Sequence, residues 1–288
     1  MSTESTTTIA VTGAAGHLGR LAVEGLIASG HPADKIVGVV RNPAKAEALA
    51  ARGVDIRTAD YTDVAALEAA FAGVDSVLLV SGSEVGQRLA QHTNVITAAQ
   101  TAGVRRLVYT SLLEADTSTL ALAGEHLATE KVLAESPLAV TILRNGWYWE
   151  NYAADADTAA KTGTLQGAVN DGRVAGAARA DYADAAVAVL TGTGHEGKVY
   201  ELAGDEHLTY PQLAEAIGTA RGTAVTYTNL TGEQLTAALL SVGLDEGTAA
   251  FVAGLDAGIA RGDLDTDSTD LHDLIGRSST PAAKVLAG

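Results

Sequence analysis

Ile9-Ala-Val-Thr12-Gly13-Ala14-Ala15-Gly16-His17-Leu18-Gly19 is the stretch that decides the fold. The short apolar run Ile9-Ala10-Val11 reads as a strand, Thr12 follows it, and glycines stand at 13, 16 and 19. A Leu/Ala-rich helical pattern then opens at Gly16 and runs to about Ser29. A glycine turn between a strand and a helix lets backbone approach a pyrophosphate, and the helix start offers free N–H groups and positive dipole. Three glycines alone would say little in a chain with 31 of them. Placed between a strand and a helix, they point to a dinucleotide.

Working outward, the same alternation repeats. Lys35 to Val40, Asp55 to Ala59, Asp75 to Val80, Arg105 to Thr110 and Val140 to Leu143 read as strands without polar alternation. That pattern fits a parallel sheet covered on both faces. Helical patterns lie between them at Ala44–Ala51, Val64–Phe71, Val85–Ala102 and Gly124–Glu135. The chain is therefore expected to be α/β, a doubly wound parallel sheet.

After Gly146 the regularity stops. Arg179-Ala-Asp-Tyr182 leads into an Ala-rich helix running to about Thr191, and 198–203 reads as a strand able to return to the main sheet. Thr209-Tyr-Pro-Gln212 and Thr231-Gly-Glu-Gln234 have capping-box form, so each should start a helix, with a strand at Ala224–Asn229 between them. Residues 1–150 are expected to be the dinucleotide domain. Residues 151–288 are expected to be mainly a smaller lobe closing over the sheet's carboxyl edge. The Asp-rich segment Asp256–Asp273 reads as solvated surface.

Composition narrows the classes. Lys plus Arg number 19 against 35 Asp plus Glu, a formal charge of −16, so nucleic acid and anionic membranes would be repelled. There is no cysteine, which removes disulfides, thiolate metal sites and thiol nucleophiles. Glu125, His126 and Glu130 lack the further histidines a metal site needs, so no metal is expected. Met1 to Thr8 has neither a cationic start nor an apolar run and does not read as a signal peptide. Apolar runs fall far short of the ~20 residues of a membrane helix. A cytoplasmic location is expected.

The end of the second strand selects the dinucleotide. A carboxylate there would bind a ribose 2′-OH, whereas a cation accommodates a 2′-phosphate. The chain reads Val40-Arg41-Asn42, with Lys45 close behind, so NADP(H) is expected over NAD(H). Asp60 is a candidate acceptor for the adenine amino group, with helix capping at Tyr61–Asp63 as the rival reading.

Beyond the sixth strand, Trp147, Tyr148, Trp149 and Tyr152 gather four of the chain's twelve aromatics within six positions. Ligands bind at that edge of open α/β sheets, and aromatic faces stack planar acceptors. Asn145 and Tyr148 are expected near nicotinamide or substrate, with Trp147 packed inward and Phe251 as a lid candidate.

Further segments carry a resemblance. Gly13-x-x-Gly16-x-x-Gly19, Arg41-Asn-Pro-Ala-Lys45, Ser83-Glu-Val-Gly-Gln-Arg88, Tyr109-Thr-Ser-Leu-Leu113, Leu143-Arg-Asn-Gly-Trp-Tyr148 and Gly197-Lys-Val-Tyr-Glu-Leu-Ala-Gly204 are similar to those of the type 2 NAD(P)H:quinone oxidoreductases. These are NmrA-like, atypical short-chain dehydrogenase/reductases. Triphenylmethane reductases also resemble the chain. The resemblance implies a Rossmann fold, NADP(H), and a small planar quinone-like substrate reduced without flavin by a monomer or homodimer. It also implies cofactor contacts from Thr12 to Gly19 and from Ser81, Gly82, Ser83, Thr110, Lys131, Arg144 and Asn145. Ser111 falls where that superfamily carries its catalytic serine.

None of the eight tyrosines has a lysine four residues on, so the Tyr-x-x-x-Lys acid pair of ordinary short-chain reductases is missing. Lys131 remains, with Leu127 at the tyrosine's place. A ketone reduced by hydride becomes a strongly basic alkoxide that needs a positioned acid. A quinone becomes a phenolate-like anion with a conjugate acid nearer tyrosine's ~10, so solvent can protonate it. Lys131 is a candidate for the nicotinamide ribose and the developing charge, against an exposed lysine paired with Glu135. His126 is a candidate proton donor, against a structural histidine. Two alternatives remain open at this point: a reductase of other carbonyls or dyes, and a non-catalytic NADP(H)-sensing regulator.

Overall fold

The structure is a computed structural model and describes residues 7–287. Most of the segment bearing on the signal-peptide reading, residues 1–6, lies outside them. The chain runs β1 (Ile9–Thr12), α1 (His17–Ala28), β2 (Ile36–Val40), α2 (Glu47–Ala50), β3 (Asp55–Thr58), α3 (Val64–Ala70), β4 (Ser76–Leu79), α4 (Arg88–Thr101), β5 (Arg106–Leu112), α5 (Ala123–Ala134) and β6 (Ala139–Asn145). It continues through α6 (Ala153–Thr162), β7 (Thr164–Gly167), β8 (Arg173–Val174), α7 (Arg179–Thr191), β9 (Val199–Leu202), β10 (Leu208–Thr209), α8 (Tyr210–Arg221), β11 (Thr226–Asn229), α9 (Gly232–Ser241), α10 (Glu246–Arg261), α11 (Asp270–Ile275) and α12 (Ala282–Val285).

Seven strands form one sheet in the order β3-β2-β1-β4-β5-β6-β9. Ile9 stands beside Ile36 on one side and Ser76 on the other, and both pairings are parallel. Every residue of β1, β2 and β4 is buried, which is why these strands carry no polar alternation. The strand order reverses between β1 and β4, and ligands of such sheets bind at the carboxyl ends beside that reversal. The doubly wound α/β expectation is met.

The chain divides into two compact units. One comprises Met1–Leu112, Glu125–Arg144 and Tyr182–Tyr200; the other comprises Leu113–Gly124, Asn145–Asp181 and Glu201–Gly288. In the first, Leu67, Phe71, Val77, Leu79, Ile96, Leu107 and Tyr109 belong to one buried cluster. In the second, β7 pairs in parallel with β11, and β8 pairs antiparallel with β10. Both capping boxes form: Thr209 starts α8 and Thr231 starts α9.

Local chemistry moves two helix starts. The helix expected from Val85 begins only at Arg88, because Gly86 takes a left-handed φ of +84° that a helix does not admit. The helix expected at Ala44–Ala51 is a 3₁₀ turn at Pro43–Ala46 followed by the single turn α2, with the Asn42 side-chain Oδ1 accepting from the Ala44 amide.

The Asp256–Asp273 segment is not simply a solvated surface. Asp256 is buried and accepts from the Ala168 amide at 2.7 Å. Asp263 accepts from the Thr119 amide, Asp265 pairs with Arg173 and His207, and Asp270 accepts from the Glu201 amide. These carboxylates satisfy backbone and cations of their own unit.

Burial pushes the Asp256 carboxyl up to about 6, with the Asp155 charge adding to the rise and the Ala168 amide opposing it. The folded state thus holds this proton more tightly than the unfolded chain does. Its contribution to stability falls as pH rises from about 4 through about 6. Asp256→Asn keeps an acceptor for Ala168 and removes the charge. We expect a melting temperature a few degrees above wild type at pH 7.5 and no gain at pH 4.5, read by thermal denaturation at both values.

Candidate active site

The glycine turn forms as a tight cradle. Gly13 has a left-handed φ of +59°, and the Gly16 amide donates to the Gly13 carbonyl at 2.8 Å. A Cβ on Gly19 would lie 2.3 Å from that carbonyl oxygen, and one on Gly16 would lie 3.1 Å from it. At the start of α1, Gly16 is extended, no side chain caps the helix, and the first turn carries no acidic residue. Its N–H groups are thus presented without a competing carboxylate, which suits a pyrophosphate. The residues present fit a dinucleotide.

Within the loop the predicted residues divide. Gly13, Gly16 and His17 are exposed, Ala15 is half-buried, and Ala14, Leu18 and Gly19 are buried. The Thr12 hydroxyl donates to the Leu78 carbonyl and accepts from the Val80 amide and the Tyr61 phenol. It ties β1 to β4 from inside the sheet.

Arg41 is two-thirds exposed just beyond β2, with Lys45 exposed nearby. Its Nη1 lies 2.9 Å from Glu84 Oε1 and 3.9 Å from Asp60 Oδ2. Asp60 Oδ1 accepts from the Thr62 amide and hydroxyl, which with Arg41 lowers its carboxyl, while Asp63 caps α3.

Past β4, the Ser81 amide donates to Thr110 Oγ1, and the Gly82 amide donates to His92 Nε2 at 2.9 Å. Arg88, buried, donates to the Gly82 carbonyl and to Glu125. Burial and Arg88 push His92 down to about 3, so its imidazole stays neutral and its Nε2 can accept. Ser83 begins the turn into α4. Neither Arg88 nor His92 was expected from the sequence, because their partners are brought close only by the fold.

Ser111 lies on β5 and donates to Glu130 Oε1 at 2.5 Å. Glu130 in turn receives Nε and Nη2 of Arg144 at 3.0 and 2.8 Å. Glu130 and Arg144 are each about nine-tenths buried, a charge pair with the two-pronged geometry that favours arginine. In the sequence Glu130 stands out only beside Glu125 and His126, a set too small for a metal site. The structure makes it the residue that joins Ser111 to Arg144.

His126 is buried, and its Nδ1 lies 2.8 Å from the Tyr109 phenol oxygen. Burial, with Arg88 and His92 close by, pushes it down to about 3. Desolvation thus keeps its imidazole neutral near pH 7, with a single ring N–H. Lys131 is exposed on α5 and makes no ion pair among the described residues, so the expected alternative pairing with Glu135 is not formed.

In the second unit, Asn145 Nδ2 donates to the Tyr148 phenol oxygen at 3.3 Å. Asn145 Oδ1 is buried and has no hydrogen-bond partner among the described residues. A buried acceptor left open costs roughly 1–3 kcal/mol unless something donates to it. The Arg179 guanidinium sits 4.9 Å above the Tyr148 ring, and the Arg179 amide donates to Glu150. Burial raises the Tyr148 phenol above its ordinary range, so it stays protonated. Trp147 is half-buried, and the fully buried indole is Trp149, packed against Gly176. The inward position expected for Trp147 thus belongs to Trp149. Phe251 lies exposed on α10.

The model of the NmrA-like family matches residues 5–255. The chain belongs to the NmrA-like family. It is 54% identical over 276 residues, 96% of each chain, to quinone oxidoreductase 2 of Escherichia coli. The crystal structure of the NADPH-dependent quinone oxidoreductase of that organism, in complex with NADPH, aligns with a TM-score of 0.93 at 53% identity, over 97% of this chain and 98% of the other. The Citrobacter triphenylmethane reductase, complexed with NADP(H), aligns with a TM-score of 0.91 at 35% identity, over 96% and 98%. No helix among the described residues of this NmrA-like chain is long and apolar enough to cross a membrane.

Proposed function

We propose that this chain is an NADPH-dependent oxidoreductase that passes hydride directly to a quinone, with no flavin. The observation that carries the reading is the 54% identity to a quinone oxidoreductase over 96% of both chains. The cradle of Gly13, Gly16 and Gly19 and the missing Tyr-x-x-x-Lys pair support it independently. NADPH supplies the hydride when bound.

The turn from Gly13 to Gly19 receives the pyrophosphate, and Arg41 with Lys45 receives the 2′-phosphate. Ser81, Gly82, Ser83 and Thr110 border the cofactor, with Ser111 and Arg144 held in place by Glu130. Lys131 hydrogen-bonds the ribose and favours the developing anion. Asn145 Oδ1 accepts from a bound amide or hydroxyl, and Tyr148 faces the planar acceptor. Residues 1–150 hold the cofactor, and 151–288 mainly surround the acceptor. The protein works in the cytoplasm as a monomer or homodimer, without nucleic-acid or membrane partners.

A second reading, reduction of conjugated dyes, draws on the 35% identity to a triphenylmethane reductase. The experiment follows NADPH and NADH absorbance with a small benzoquinone, a triphenylmethane dye and an unconjugated ketone. We expect oxidation of NADPH with the quinone, at least about tenfold slower oxidation of NADH, and none with the ketone. Faster turnover of the dye would favour the second reading. Tight NADPH binding with no turnover on any acceptor would make the chain a sensor.

A further inference from the structure

Arg41 is not held by the main sheet but by a carboxylate from another loop. Its Nη1 donates to Glu84 Oε1 at 2.9 Å. Glu84 is itself fixed, because its Oε2 accepts from Gln91 Nε2 at 2.8 Å and Gln91 is buried on α4. The loop that carries Glu84 is anchored on both sides. On one, the Gly82 amide and carbonyl engage His92 and Arg88; on the other, the Gly86 amide donates to Glu125 Oε1 at 2.8 Å. Gly86 takes its left-handed φ at this turn. A merely solvated surface glutamate would not be clamped by a buried amide within an anchored loop.

We propose that Glu84 sets the degree of NADPH preference by competing with the cofactor's 2′-phosphate for Arg41. The inference rests on the reading that Arg41 receives that phosphate. A phosphate entering there must displace Glu84 from Arg41, which weakens its hold. A ribose bearing only hydroxyls pays no such penalty and offers Glu84 a proton donor instead. Asp60, the other carboxylate near Arg41, is less suited to that contact, because its Oδ1 already accepts twice from Thr62. Glu84 therefore moderates selectivity that Arg41 alone would make steeper.

The test compares wild type, Glu84→Gln, Arg41→Ala and the double variant by calorimetric titration with NADPH, NADH, adenosine 2′,5′-bisphosphate and AMP. The last two probes read the 2′-phosphate without any turnover. Glutamine keeps the shape and a hydrogen-bond acceptor but removes the charge. For Glu84→Gln we expect NADPH and the bisphosphate to bind about fivefold tighter, the scale of one exposed charge contact. NADH and AMP should bind equally or more weakly. In the double variant the gain should vanish, since it acts through Arg41.

If Glu84→Gln leaves NADPH and the bisphosphate unchanged or weaker while Arg41→Ala weakens them, the proposal fails and the Arg41 reading stands. If Arg41→Ala leaves both affinities unchanged, the Arg41 reading fails and takes the proposal with it. A gain that persists in the double variant also overturns the proposal.

Discussion

Gly19→Ala is expected to lower NADPH affinity at least ~100-fold, about 3 kcal/mol, and to destabilise the fold by roughly 2–4 kcal/mol. The new Cβ would stand 2.3 Å from the Gly13 carbonyl oxygen and 2.8 Å from its carbon, both backbone atoms that no rotamer change can move. Relief requires opening the turn or shifting α1 along β1. The turn cannot yield easily, because Ala14 is buried and its amide is bonded to the Val39 carbonyl of the neighbouring strand. Any shift also moves the N–H groups that would face the pyrophosphate, so binding and stability should fall together. Gly16→Ala provides the graded comparison, since its Cβ would lie 3.1 Å from the same oxygen and Gly16 has an ordinary φ of −81°. Fluorescence titration with NADPH and thermal denaturation without it should rank wild type, Gly16→Ala and Gly19→Ala in that order. Equal affinity of Gly19→Ala and wild type would remove the cradle from the cofactor reading.

The same turn explains how much the sequence could reveal. A strand buried on both faces and a glycine turn are local patterns, so β1 to β6 and the α/β class can be read along the chain. Capping boxes are equally local, and α8 and α9 start where Thr209 and Thr231 place them. The small sheets are different: β8 and β10 have two residues each, too few to show a period. Asp256 looks like any other acidic residue in an Asp-rich segment until Ala168, 88 positions away, is brought against it. At the candidate site, the family resemblance suggested Ser111 and Arg144, and the place beyond the sixth strand suggested Asn145, whereas the partner that orients the first two comes from another element. Glu130 meets Ser111 across 19 positions and Arg144 across 14, so no spacing rule marks it. His126 is the converse case: its identity suggests a titrating group, and only its burial reveals a neutral ring.

Glu130→Ala should destabilise the first unit's polar interior by roughly 3–5 kcal/mol. It deprives a nine-tenths buried guanidinium of the carboxylate that receives two of its donors, and it removes the acceptor of the Ser111 hydroxyl. The loss is larger than the net worth of the pair, because much of it is the cost of leaving a buried cation without this carboxylate. That distinction can be measured. Glu130→Gln keeps an acceptor for Ser111 but loses the charge, so it should fall between alanine and wild type. Glu130→Ala combined with Arg144→Met removes the buried cation as well and should recover much of the stability in urea denaturation. If Ser111 and Arg144 serve only to fill the interior, the double variant should also bind NADPH as wild type does. If they border the cofactor, as proposed, stability returns while NADPH affinity stays reduced. A single pair of titrations thus separates what Glu130 does for the fold from what it does for the site.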